Sequence, residues 1–153
     1  AISIYDATYN TGCRPLDYVL REKSLLFNEY QVEFSCMAEG ECIDFMTAAD
    51  VYALFGNALD NAIEHVLLIP DPEKRIIHME VSARKQFVYA EIRNYCNQDV
   101  TIRNGFPNTT KKDAKNHGFG IKSISYTVKK YNGTVQFGVK DHFFSIRILI
   151  PKE

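Results

Sequence analysis

Hydrophobic residues recur at helical spacing in three stretches of the chain and alternate with polar ones in five. From Arg14 to Tyr30, Leu16, Val19, Leu20, Leu26 and Phe27 fall on one side of a 3.6-residue repeat, with Lys23 in the same row. Pro15 suits the first turn of that helix. Gln31 to Ala38 alternates, with Val32, Phe34 and Cys36 on one face, and predicts a strand closed by a turn at Gly40. The longest helical pattern runs from Thr47 to Ile69. Its apolar stripe is Val51, Leu54, Phe55, Ala58, Ala62, Val66 and Ile69. Thr47 stands three residues before Asp50, a variant of the capping box, and Pro70-Asp71-Pro72 ends the helix. Two β-rich runs follow, Arg75 to Ala83 and Phe87 to Arg93, joined by a short connection that lacks the best turn residues. Cys96 to His117 has little regular period, and a connection of about 20 residues is uncommon unless it is functional or mobile. Gly118 to Lys130 predicts a helix and Asn132-Gly133 a turn. Thr134 to Val139 and Phe143 to Ile150 predict a closing hairpin, with Pro151 as its stop.

The predicted order is α-β-α-β-β-loop-α-β-β. Amphipathic helices beside alternating strands imply an α+β fold, a two-layer α/β sandwich whose sheet is covered on one face by helices. At 153 residues the chain suits one domain. Hydrophobic residues are 46% and charged residues 24%, as in ordinary water-soluble folds. The formal net charge of -1 lacks the basic excess of a nucleic-acid binder. Cys13, Cys36, Cys42 and Cys96 form no C-x-x-C pair and have no histidine at metal-ligand spacing, so reduced thiols in a cytosolic setting are expected. No apolar run approaches the ~20 residues of a membrane span. The chain opens on Ala1 rather than methionine, which points to a piece of a longer protein.

Two segments carry candidate chemistry. In the long helix, Asn57, Asn61 and Glu64 fall at i, i+4 and i+7 and share one side, flanking the apolar stripe. Amides beside a core need partners, which a ligand or hydrated metal could supply. Taken alone, a polar margin bonded to backbone or water accounts for the pattern as well. The second segment is Asn116-His117-Gly118-Phe119-Gly120-Ile121-Lys122. A G-x-G pair at a helix start lets backbone N–H groups approach an anion, and the helix dipole favours negative charge there. Lys111, Lys112, Lys115 and Lys122 flank it. Alone, this too is met by an ordinary loop-to-helix junction.

Together the two segments resemble the GHKL superfamily of gyrase, ninety-kilodalton heat-shock chaperones, histidine kinases and mismatch-repair ATPases. Asn57-Ala58-Leu59-Asp60-Asn61-Ala62 is similar to its N box, and His117-Gly118-Phe119-Gly120-Ile121-Lys122-Ser123-Ile124 to its G2 box. The resemblance covers roughly Asp17 to Pro151. It leans toward the peptide-responsive quorum-sensing kinases of Gram-positive bacteria, which share this helix, this loop and a sequence like Lys129 to Gly133.

The resemblance implies ATP and Mg²⁺ as ligands. Asn61 would place its side-chain oxygen on Mg²⁺, and Asn57 would support phosphates or metal waters. His117, Gly118, Phe119 and Gly120 would close the lid segment over the phosphate chain, while Lys115 and Lys122 would neutralise its charge. The family's G1 box, D-x-G-x-G, is missing after the second central strand. Asn94 is the best substitute acceptor for the adenine amino group, and being neutral it implies weaker ATP binding. Glu64 stands where many histidine kinases carry a basic residue. None of His65, His78, His117 and His142 sits in a phosphoacceptor setting; surface or local hydrogen-bonding roles are expected for them.

Hydrolysing members carry a glutamate one turn before the metal-binding asparagine, and Asn57 stands there instead. It is no general base at neutral pH, whereas phosphoryl transfer to an incoming nucleophile depends mainly on positioning and charge stabilisation. The implied protein is a sensor histidine kinase with its phosphoacceptor histidine on dimerisation helices outside this chain and a downstream response regulator. It would be a bacterial plasma-membrane receptor, this part facing the cytoplasm without direct membrane contact. Alternatives are a degenerate nucleotide-binding or docking module, an anti-sigma-type serine kinase, and an α/β domain without nucleotide.

Overall fold

The five alternating segments join into one sheet. The computed structural model describes residues 9–97, 102–103, 106–107 and 117–152, and of 102, 103, 106, 107 and 117–119 the backbone only. In chain order the elements are α1 (Arg14–Glu29), β1 (Glu33–Ala38), α2 (Ala48–Leu67), β2 (Ile76–Arg84), β3 (Phe87–Tyr95), the short β4 (Ile102–Arg103) and β5 (Phe106–Pro107), α3 (His117–Lys130), β6 (Thr134–Lys140) and β7 (Phe143–Pro151). The main sheet runs β1-β2-β3-β7-β6. Its β1–β2 pair is parallel and the others are antiparallel. The result is the expected α+β fold with a mixed sheet. Ile77, Met79 and Val81 on β2, Val88, Ala90 and Ile92 on β3, and Phe144, Ile146, Ile148 and Ile150 on β7 are buried. The residues between them on β2 and β3 are half-buried or exposed, so one face of the sheet meets the helices and the other does not.

Several predicted bounds shift for identifiable reasons. Helix α2 ends at Leu67, two residues before the predicted Ile69, because Pro70 disfavours helical backbone at the residue before it. Ile69 is buried all the same. Arg75 precedes β2 rather than opening it: its guanidinium donates to the carbonyls of Ile69 (3.0 Å) and Tyr30 (2.8 Å). Pro151 is the last residue of β7, opposite Phe87, one residue beyond the predicted end at Ile150. Strand β6 begins opposite Leu149, so beyond that point one side of β7 has no strand partner and a missing N–H is tolerated. The segment read as irregular contains β4 and β5.

Among the described residues no disulfide joins the cysteines, and burial raises the thiols of Cys13, Cys36 and Cys42, Cys36 to about 11. They serve as small apolar residues rather than as thiolates. Among the described residues, no helix is long and apolar enough to cross a membrane.

The start of α2 is tied to the end of α3. Thr47 caps α2 as expected, its hydroxyl accepting from the Asp50 N–H at 3.2 Å. The reciprocal half of the capping box differs. The Tyr131 hydroxyl accepts from the Thr47 N–H (3.1 Å) and donates to the Asp50 carboxylate, which Lys130 also meets at 3.1 Å. The Tyr131 bond holds the Asp50 carboxyl below its ordinary 3.8, against the opposing effect of burial. A depressed carboxyl stabilises the fold at neutral pH, and that contribution is lost as pH falls below about 4 through the folded value. We expect Tyr131→Phe to cost about 1–2 kcal/mol at pH 7, measured by urea unfolding, and to flatten the stability profile below about pH 4. An unchanged profile would remove the hydroxyl from this account.

Helix α3 is followed by Asn132 in the left-handed region (φ 61). The N–H of Gly133 returns to the Val128 carbonyl at 3.0 Å. A Cβ on Gly133 would stand 2.6 Å from the Leu149 carbonyl oxygen and 2.9 Å from side-chain atoms of both Ile150 and Val128. Gly133→Ala is therefore expected to destabilise the domain by about 1–3 kcal/mol, read from the urea midpoint.

Candidate functional site

The helix face that carries Asn57 and Asn61 is turned toward α3. Apolar residues on both sides of it, Ala58, Leu59, Ala62 and Ile63, are buried, which fixes the rotation of α2. That rotation leaves Asn61 6% exposed and Asn57 half-buried. Asn57 donates its amide N–H to Ser123 Oγ on the second turn of α3, at 3.1 Å. Its oxygen is thereby left toward Gly120: a Cβ built there would meet Asn57 Oδ1 at 4.0 Å. The structure thus brings Asn57, Asn61 and the start of α3 together, although Asn57 and Ser123 are 66 residues apart in sequence.

Asn61 Oδ1 is buried and meets no hydrogen-bond donor among the described residues. Leaving such an oxygen unpaired costs about 1–3 kcal/mol, so the atom calls for an ordered water or a ligand. Amide oxygens are ligands of hard divalent cations, and Asn61 therefore fits Mg²⁺. Among the described residues no cluster of three or more His, Cys, Asp or Glu is arranged to hold a metal. A cation at Asn61 would draw its remaining oxygens from phosphate or water, as Mg²⁺ commonly does.

The remaining expected residues fall differently. His117, Gly118, Phe119 and Gly120 form the first turn of α3, whose dipole favours an anion. The helix begins one residue before the predicted glycine. Lys122 is exposed. Lys115 lies outside the described residues, as do Lys111 and Lys112.

Asn94 sits on the covered face of β3, between Ile77 and Phe144 on the neighbouring strands, and is 1% exposed. Its amide is engaged from within. Nδ2 donates to the Tyr95 carbonyl at 3.1 Å, and Oδ1 lies 3.3 Å from Nδ1 of His65. The oxygen expected to be an open acceptor already faces a neighbour.

Sequence reasoning missed His65 and Ser123 as parts of this site. Their spacing was available: His65 is one turn beyond Asn61, and Ser123 three residues beyond Gly120. Which distant amide each one meets was not.

Comparison with known proteins bears on the whole arrangement. No curated protein matches the sequence. The catalytic domain of the histidine kinase ThkA matches in two nucleotide-free crystal forms, with TM-scores of 0.65 and 0.67 at 14% identity. These matches cover 90% of this chain and 91% and 90% of theirs. The Acinetobacter baumannii histidine kinase AdeS matches with a TM-score of 0.62 at 13% identity, over 91% of this chain. The chain spans 64% of AdeS, less than two thirds of its length. At such identities the likeness establishes the fold, a sheet-and-helix sandwich shared with histidine kinase catalytic domains. The sequence profile of the GHKL domain matches residues 46–151, more than half of the chain and the part that contains both asparagines, Asn94 and the start of α3. The chain therefore belongs to the GHKL domain family.

Proposed function

We propose that this domain binds Mg-ATP and works as the catalytic domain of a sensor histidine kinase. It would present the γ-phosphate to a histidine on dimerisation helices outside this chain. The observation that carries the reading is Asn61 Oδ1, a buried oxygen without a described donor, one turn from Asn57 and beside the start of α3.

Asn61 would hold Mg²⁺ through Oδ1, and the bound ion would offset phosphate charge. Asn57, with its amide nitrogen committed to Ser123, presents an oxygen that accepts hydrogen bonds from metal-bound water. The first-turn N–H groups of α3 would meet the phosphates, helped by the absent side chains of Gly118 and Gly120. Lys122, and Lys115 before it, add positive charge. Asn94 Oδ1 accepts from the adenine amino group; because Asn94 is 1% exposed, a base reaches it only by displacing atoms that now cover it. That displacement, and the neutral acceptor, both weaken nucleotide binding.

Position 57 supplies no base to activate water, which favours transfer to an incoming imidazole over hydrolysis. The protein would be a membrane receptor of the Gram-positive quorum-sensing type, with this domain facing the cytoplasm and a response regulator downstream. The burial of Asn94 favours a second reading, a degenerate module that docks without catalysis. Titration of Mg-ADP into the domain by calorimetry tests the site, and phosphotransfer when the domain is fused to its own upstream helices separates the two readings. Saturable binding supports the kinase reading. No binding at millimolar nucleotide by folded protein overturns it.

A further inference from the structure

We propose that His65 is a positioning residue that holds the Asn94 amide in the orientation that selects an amino-bearing base. This inference rests on the reading of the site as a nucleotide pocket.

An amide, unlike a carboxylate, has two different ends. One accepts hydrogen bonds and the other donates them, and a half-turn about the last side-chain bond exchanges them. A carboxylate in the same place offers acceptors whichever way it lies. Replacing a carboxylate by Asn94 therefore creates an orientation requirement. With the oxygen toward the base, the site accepts from the amino group of adenine. With the nitrogen toward the base, it would donate to the ring carbonyl of hypoxanthine or guanine. Selectivity for adenine then depends on what keeps the amide from turning.

Two neighbours do so. The Tyr95 carbonyl can only accept, so it takes Nδ2, at 3.1 Å. Oδ1 then faces Nδ1 of His65 at 3.3 Å. Because that oxygen has no proton to give, the contact is favourable only when Nδ1 carries the hydrogen, which sets the ring tautomer. The ring itself is held edge-on to Phe144, with centroids 5.0 Å apart, and Phe144 is wholly buried. The order of dependence runs from the Tyr95 carbonyl to the amide and from the amide to the imidazole. The imidazole in return satisfies one lone pair of Oδ1. A carbonyl-type oxygen has two lone pairs, so a second donor, the amino group of the base, can join without breaking the first contact. If the amide turned, its oxygen would face the Tyr95 carbonyl, a repulsive contact, and its nitrogen would face Nδ1, which could be met only by moving the ring hydrogen to Nε2. His65 thus adds the cost of a change of tautomer to that of the clash with the Tyr95 carbonyl.

The test compares dissociation constants of ADP and inosine diphosphate, each with Mg²⁺, measured by calorimetry on the whole chain. Inosine diphosphate carries a carbonyl in place of the amino group. The unaltered protein is expected to prefer ADP by at least about tenfold, the factor of one neutral hydrogen bond. His65→Phe keeps an aromatic ring against Phe144 but has no donor, and should reduce that preference at least about threefold. His65→Gln, which can still donate, should retain it. The decisive variant is His65→Phe combined with Asn94→Asp: a carboxylate needs no orienting, so the preference should return. A residue of merely structural importance would not be relieved by that change. Nitrogen chemical shifts of the His65 ring in the unliganded protein give a readout that needs no variant to fold, and protonated Nδ1 is expected. A preference unchanged in His65→Phe, or a ring protonated on Nε2 alone, would overturn the inference while leaving nucleotide binding in place. Failure to bind either nucleotide would overturn both.

Discussion

Asn61→Ala is expected to abolish the Mg²⁺-dependent part of nucleotide binding while leaving the fold about as stable as before. The two halves have one cause. In the folded protein Asn61 Oδ1 is buried without a described donor, a deficit of about 1–3 kcal/mol. Truncation to alanine removes that deficit and leaves a small void, and the two changes offset each other to within about 1 kcal/mol. A thermal midpoint within roughly 4 °C of the parent's follows. For binding there is no offset. Altering residues that only support a metal's ligands costs 10–100-fold in affinity, so loss of a direct ligand should cost about 100-fold or more. Calorimetry with Mg-ADP against ADP in chelator isolates this contribution. Nucleotide affinity that keeps its full Mg²⁺ dependence in Asn61→Ala would dismiss the assignment. A large loss of stability would instead show that the amide is held by bonds to the fold.

The largest loss of stability is expected from Phe144→Ala. Phe144 is fully buried in β7, opposite Asn94 on one side and Val139 on the other. Its ring packs against those of His65 at 5.0 Å and Phe137 at 6.3 Å. Removing a buried phenyl group from such a place costs about 3–5 kcal/mol, a large share of the ~5–15 kcal/mol that holds a domain together. The urea midpoint should fall with little change in slope. Phe144→Leu, which keeps most of the volume, should cost less than about 1.5 kcal/mol. Equal effects of the two substitutions would mean that the ring's volume is not what matters. Because Phe144 underlies the His65–Asn94 contact, Phe144→Leu is also expected to loosen that contact before it threatens the fold.

Much of the architecture was legible locally. The stripe from Val51 to Val66 became α2, and the alternation of Ile77, Met79 and Val81 with His78 and Glu80 became a strand buried on one face. Both follow from repeats of 3.6 and 2 residues, which need no knowledge of the rest of the chain. The turns were harder. Lys85, Asp141 and His142 all take positive φ without a glycine among them, so the hairpins they close carry a weak turn signature. The site was legible as two motifs and illegible as a set of contacts. Asn57 and Asn61 could be placed on one face from their spacing alone. Asn94 could be named as an acceptor, but its burial and its commitment to Tyr95 and His65 could not be foreseen.

The sequence by itself determined the elements, the face each one buries, and the two polar segments that mark the chain as a GHKL domain. Only the tertiary structure decided which elements lie side by side. Strand β7 enters between β3 and β6, which sets Phe144 beside Asn94. Helix α3 packs against α2, which joins Asn57 to Ser123 and Asp50 to Tyr131, pairs 66 and 81 residues apart. Periodicity is a property of neighbouring residues and fixes direction around one axis. Contact between distant residues depends on the order of strands and the packing of helices, and these are set by how the whole apolar surface is buried together.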